Sequence, residues 1–199
     1  MVEFLYYFTK KRGALMCQRC RWVNIKNPVY VKYHDSEWGV PSHNDRDLFE
    51  LLILEGFQAG LSWECILNKR ENFRRAFDNF DPEAVSSYTE EKCAALCNDP
   101  SIVRNRRKIS AAVSNALVFK AIQQEFGSFD SYIWSFTERR AVNEDYSLRT
   151  SSPLSDRISR DLKSRGMNFV GTTIIYSYLQ AIGVINAHGS ECDMFPAAQ

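Results

Sequence analysis

A chain of 199 residues with 45% hydrophobic and 25% charged residues has the make-up of one globular domain, which excludes a disordered tail, a collagen-like chain and a disulfide-dense mini-domain. The longest apolar run, Leu48 to Phe57, is about half the ~20 residues that a membrane-spanning helix needs and carries Glu50 and Glu55, so no membrane partner is expected. A net charge of +1 removes any global-charge argument for nucleic-acid binding, and such an argument has to be local.

From residue 42 onward the chain reads as helices. Asp45 to Phe57 places apolar residues at 48, 49, 52, 53 and 57 on one broad face. Ser62 is read as the cap of a helix running to about Phe77, with Trp63, Ile66, Leu67, Phe73, Ala76 and Phe77 as its stripe. Asp81-Pro82 is a cap followed by a first-turn proline, and Thr89 caps a short helix ending near Cys97. After the Asn98-Asp99-Pro100 turn, a longer helix runs from about Arg104 to Phe126, stopped by Gly127. Phe129 to Phe136 forms another, and 137–154 reads as an irregular polar loop. Ser155 is then expected to cap a helix that Gly166 ends, and Thr172 to Ile182 is the last helix despite its β-branched residues. With no alternating stretch between hairpin turns, the fold class is all-α.

Six cysteines with no preceding secretory signal point to a cytoplasmic protein, where paired Cys suggest metal before disulfide. His188 and Cys192 form H-x3-C, which shares one face if helical, and Cys20 and His34 lie near the start. Two Cys and two His make a closed tetrahedral zinc site with no position for a catalytic water. The bland alternative is chance spacing. If real, such a site staples the two ends of the chain, a closure worth on the order of 4–5 kcal/mol in the chain-entropy model.

Pro100 to Gln124 holds Arg104, Arg106, Arg107, Lys108 and Lys120 and no acid, which suits phosphate contact or, more blandly, a solvated basic helix face. Lys69, in the basic KRENF stretch, also reads as DNA-facing. Glu55 sits inside the apolar stretch LLILEGFQAGLSW, flanked in sequence by Trp22, Tyr30, Tyr33, Trp38 and Trp63. A carboxylate there needs a partner or a raised pKa, unless it lies at a helix end and points to water. Glu50 and Glu37 are read as surface acids. Leu61, in a Gly-Leu-Ser turn, is either a wedge for the space left by a flipped base or buried core.

Taken together, several motifs resemble the bacterial 3-methyladenine DNA glycosylase I family. They are Cys20-Arg21-Trp22-Val23, Tyr33-His34-Asp35-Ser36-Glu37-Trp38-Gly39-Val40-Pro41, and Leu54-Glu55-Gly56-Phe57-Gln58-Ala59-Gly60-Leu61-Ser62-Trp63. Lys69 to Phe73, the basic stretch Ile102 to Asn115, Arg165 to Thr173 and the terminal His188 to Cys192 complete the set, in order over residues 17 to 192.

The resemblance implies a helix-hairpin-helix DNA glycosylase fold in one domain, 17–199, with 1–16 an extension of unknown role that is dispensable for catalysis. It further implies structural zinc on Cys20, His34, His188 and Cys192. A pocket for flipped 3-methyladenine follows, in which Glu55 accepts hydrogen bonds from the base, Tyr33 and Trp63 sandwich it, and Trp22, Tyr30 and Trp38 lie nearby. Phe57 departs from the family pattern at a position often polar, with a possible effect on the pocket rim or the DNA contact.

The expected partner is double-stranded DNA containing alkylated adenine, met by a monomer, with Leu61, Arg104, Arg106, Arg107 and Lys108 as DNA contacts. The expected chemistry is monofunctional N-glycosyl hydrolysis, without lyase activity, that leaves an abasic site. The competing reading is a non-catalytic, zinc-stabilised DNA-binding helical module, which loses if Glu55 and the aromatics form a pocket.

Overall fold

The computed structural model describes residues 17–144 and 149–195, so the expectation for 1–16 lies outside the described residues. The chain is mostly helical. The first helix, α1 (Pro28–Ser36), has Asn27 as its cap, accepting from the Val29 N–H, and proline in its first turn. The apolar pattern gives no sign of it, because its side chains divide between a pocket, a polar cluster and solvent, and Asn27-Pro28 is its one local signal.

Helix α2 (Asp45–Gln58) is the centre of the molecule. The Asn44 side chain accepts from the Arg46 and Asp47 N–H groups, Asp45 and Asp47 suit the positive end of the helix dipole, and every residue from Leu48 to Phe57 is buried. Phe57 is buried against Phe73 and Phe77, in the core and not at a pocket rim.

The helix expected over 62–77 is two helices, α3 (Trp63–Leu67) and α4 (Arg70–Ala76). At the joint, the Asn68 side chain accepts from Asn27, and Lys69 Nζ donates to the Ser101 carbonyl at 3.0 Å, so each residue is held by a different neighbour. Glu50 corrects the surface-acid reading: it is 4% exposed and accepts from Arg70 Nε at 2.5 Å and Arg74 Nε at 2.9 Å, while Arg70 also binds Glu37. A buried carboxylate paired on both sides in this way satisfies the desolvation it incurs.

Beyond a short 3₁₀ turn come α5 (Pro82–Ser86), capped by Asp81, α6 (Glu90–Asn98), capped by Thr89, and α7 (Arg106–Phe126). Asn105 caps α7, so Arg104 falls outside it, and Gly127 ends it at φ +84°. After α8 (Phe129–Ser135), the polar stretch holds a two-residue strand, β1 (Val142–Asn143). Helices α9 (Pro153–Ser164) and α10 (Thr172–Ala181) follow, then β2 (Ile185–Asn186), which pairs with β1 in parallel. The cap of α9 is Ser152, not Ser155; the two serines form a reciprocal capping box around Pro153. Helices α3, α7, α8 and α10 pack around α2, and α9 packs on α10.

Candidate active site

Helix α2 delivers Glu55 to the inner end of a cavity of about 260 Å³. Trp22, Tyr30, Tyr33, Trp38 and Trp63 line one side of it, all five of the aromatics singled out by sequence. The rings pack on one another: Tyr33 and Trp63 have centroids 5.5 Å apart, Trp22 and Trp38 4.7 Å, and Trp22 and Tyr30 5.5 Å. Tyr30 and Tyr33 are placed by α1, Trp63 by the Ser62-capped first turn of α3, and Trp22 and Trp38 by turns.

Among the described residues, two buried side-chain polar atoms have no hydrogen-bond partner, Glu55 Oε2 and Trp63 Nε1, and both residues line this cavity. Glu55 is 3% exposed, and desolvation pushes its carboxyl up to about 8. Burial, and then the nearby Glu55 charge, hold Tyr33 far above the ordinary tyrosine range, so it presents a neutral phenol. An orphaned acid among electron-rich rings is arranged to receive a group that is both cationic and a hydrogen-bond donor.

Against the outer side of Trp22 and Trp38 lies a second polar cluster. Cys20, His34, His188 and Cys192 are all buried, and their ligand atoms lie within 4.8 Å of one another. Cys20 Sγ is 3.7 Å from His188 Nδ1, and Cys192 Sγ is 3.5 Å from both His34 Nε2 and His188 Nδ1. The far ring nitrogens are also engaged: His34 Nδ1 meets Asp35 at 2.8 Å, and His188 Nε2 meets the Trp38 carbonyl at 3.1 Å. Burial alone raises Asp35, but Arg19 and His34 outweigh it and hold the carboxyl below its usual range. Gly39, at φ +78°, passes so close that a Cβ there would lie 3.0 Å from His188 Nε2. Cys17 is exposed and stands apart from the cluster.

The residues expected to touch DNA are not equivalent. Leu61 is 43% exposed in the turn between α2 and α3, so the core alternative falls away. Arg104, Arg106 and Arg107 are exposed. Lys108 is the correction. It is 7% exposed, and its ammonium donates to the Phe57 carbonyl at 2.9 Å and the Ala59 carbonyl at 2.6 Å. Its charge caps the C-terminal end of α2, with two of its three donors spent on those carbonyls and the group buried away from a phosphate.

The rest of the cavity is not anticipated by the sequence reading. Thr173, Tyr176, Ser177 and Gln180 of α10 line it, with Arg149 and Thr150 at its rim. The signal was available: positions 173, 176, 177 and 180 are one helical face, polar or phenolic in an otherwise β-branched apolar helix.

The model of the methyladenine glycosylase family matches residues 22–195. The chain is 44% identical to DNA-3-methyladenine glycosylase 1 of Escherichia coli (strain K12), over 90% of this chain and 97% of that protein. A crystal structure of 3-methyladenine DNA glycosylase I superposes with a TM-score of 0.86 at 44% identity, over 90% of this chain and all of that one. A variant of such an enzyme solved in complex with 3-methyladenine gives 0.84 at 36% identity, over 87% of this chain and 96% of that one.

Proposed function

Because the chain belongs to the methyladenine glycosylase family, we propose that it excises 3-methyladenine from alkylated DNA by hydrolysing the N-glycosidic bond, leaving an abasic site for base excision repair. The observation that carries this reading is Glu55, a buried carboxyl with one unpartnered oxygen inside an aromatic cavity. A cavity of this kind has no use in a passive DNA-binding module.

Methylation at N3 makes the base cationic, and that makes it a good leaving group. In the reaction the C1′–N9 bond breaks, its electron pair stays with the base, water supplies oxygen to C1′, and one proton is released. The base departs neutral. The protein's task is to extrude the nucleotide and hold the charged ring. Tyr33 and Trp63 sandwich it, with Trp22, Tyr30 and Trp38 beside them, each ring contact contributing ~0.5–2 kcal/mol for a cation. Glu55 accepts from the N–H edge, and the cation draws its pKa back down as it binds. No lysine lines the cavity among the described residues, which supports hydrolysis without lyase chemistry.

Zinc is the metal we assign to Cys20, His34, His188 and Cys192. Thiolate and imidazole at ~2.3 and ~2.0 Å from a tetrahedral zinc lie ~3.5 Å apart, in keeping with the 3.5–3.7 Å separations here. The ion's contribution is structural: four protein ligands close it, and Asp35 and the Trp38 carbonyl orient the two imidazoles. Helices α9 and α10, with the turn 165–171 between them, are the pair we read as the helix-hairpin-helix. Leu61 is the wedge, and Arg104, Arg106 and Arg107 take phosphates, with Lys108 setting the end of α2 instead. We read the protein as a cytoplasmic monomer.

The test is release of free base from methylated duplex. Wild type should release 3-methyladenine, and Glu55→Gln should do so about 10- to 100-fold more slowly, the equivalent of ~1.5–3 kcal/mol. Unchanged release in the variant places the base elsewhere.

A further inference from the structure

One residue runs against the charge of its surroundings. The cavity combines aromatic faces, a buried acid and the polar face of α10, and Arg149 also lines it, near enough to act electrostatically on the Tyr176 hydroxyl, which donates to Glu144 Oε2 at 3.0 Å. Arg149 is exposed and makes no hydrogen bond or ion pair among the described residues. A guanidinium repels a cationic ring brought into the same cavity, unless an anion enters with it. A flipped nucleotide brings that anion, because its base is tethered through the sugar to backbone phosphates.

We propose that Arg149 binds a phosphate flanking the extruded nucleotide, with the rim hydroxyls of Thr150 and Thr173 as further donors, so that the cavity reads a cation and an anion at a fixed separation. This rests on the reading of the cavity as the seat of the flipped base. The arginine fork suits the planar pair of phosphate oxygens. Thr150 and Thr173 are both exposed and both line the cavity. Selectivity then has two parts. The aromatic wall and Glu55 recognise the lesion, and Arg149 requires that the lesion still be attached to DNA. Once the glycosidic bond breaks, the base is neutral and has lost its anionic tether, so the same arginine favours its release.

The experiment compares wild type, Arg149→Gln and Arg149→Lys in the full chain, with three readouts. Binding of free 3-methyladenine, followed by tryptophan fluorescence, should change by less than about twofold in Arg149→Gln. Binding to a duplex carrying an abasic site should weaken, and the slope of log affinity against log salt should fall by about 1, one phosphate contact. Single-turnover base release from methylated duplex should fall about tenfold, with partial recovery in Arg149→Lys. An unchanged salt slope and unchanged duplex affinity overturn the proposal. So does a loss of free-base binding as large as the loss on duplex, which would put Arg149 on the base itself. The abasic-duplex arm does not depend on catalysis, so it tests the phosphate contact even if wild type releases no base.

Discussion

Two buried polar clusters lie on either side of the same tryptophans, and they are built on opposite principles. In the Cys20–His34–His188–Cys192 cluster, each ring nitrogen has a neighbour in hydrogen-bonding or ligand range, and Arg19 and Asp35 brace it from behind. In the cavity, Glu55 Oε2 and Trp63 Nε1 have none. Burying a polar group without a partner costs ~1–3 kcal/mol. Where every group in a buried set is engaged, the set belongs to the fold; where an acid is left open inside a cavity, its partner arrives from outside. Trp22 and Trp38 are shared, with Trp38 4.6 Å from His188 and Trp22 5.4 Å from His34, so the closed cluster fixes one wall of the open one.

The largest test of this contrast removes a member of the closed set. His188→Ala, or metal chelation, should lower stability by ~4 kcal/mol or more, seen as a collapse of the cooperative melt, because metal and folding are coupled. His43→Ala should barely move the melt: His43 is half exposed, its contacts being Asp130 and a tilted packing on the Trp134 ring. Equal effects at the two histidines erase the distinction.

In the open set the expected sign reverses. The unfolded Glu55 carboxyl ionises near 4.5, whereas the folded one holds its proton to about 8. Between those values the native state binds more protons, so wild-type stability should fall as pH rises, by at most ~1.4 kcal/mol per unit. Glu55→Gln should flatten that slope while slowing base release. Denaturant melts at pH 5, 6.5 and 8 measure it, and a wild type that gains stability over this range contradicts the unpartnered acid.

A smaller effect is expected at Lys108. Replacing it with methionine leaves the Phe57 and Ala59 carbonyls without their donor, at a cost of ~1–3 kcal/mol in chemical denaturation, with no change in the salt dependence of duplex binding. Arg106→Ala with Arg107→Ala should do the converse: stability nearly unchanged, and a salt slope smaller by up to about 2. The opposite pairing of results would return Lys108 to the DNA surface.

Much of the fold and of the site is legible in the sequence, and what is not shares a cause. Caps at Ser62, Asp81 and Thr89 and the stop at Gly127 declare themselves because a local backbone group must be satisfied by the next few residues. Glu50 and Lys108 escape the sequence reading because a charged side chain reads as exposed until its partner, 20 to 51 residues away, is known. Helix α1 was invisible for a related reason. Tyr30 and Tyr33 face the cavity, His34 joins the Cys and His cluster, and Val29 faces water, so no single apolar stripe survives. The aromatic wall and Glu55 were legible because an acid in an apolar run is anomalous. The polar face of α10 was overlooked because threonine, serine and glutamine on a helix look ordinary one at a time.

Residues 18 and 193 grip each other directly: the Gln18 N–H donates to Asp193 Oδ2 at 2.9 Å, and the Asp193 N–H donates to the Gln18 carbonyl at 2.9 Å. The Cys and His cluster lies immediately inside that clasp. Tension applied between these two points therefore runs across a few residues and bypasses the helical core. With metal bound, the chain should resist pulling until a thiolate or imidazole bond to the ion ruptures, and only then should the helices take up load. Stripped of metal, the same chain should yield at a far lower force and lengthen from its ends inward.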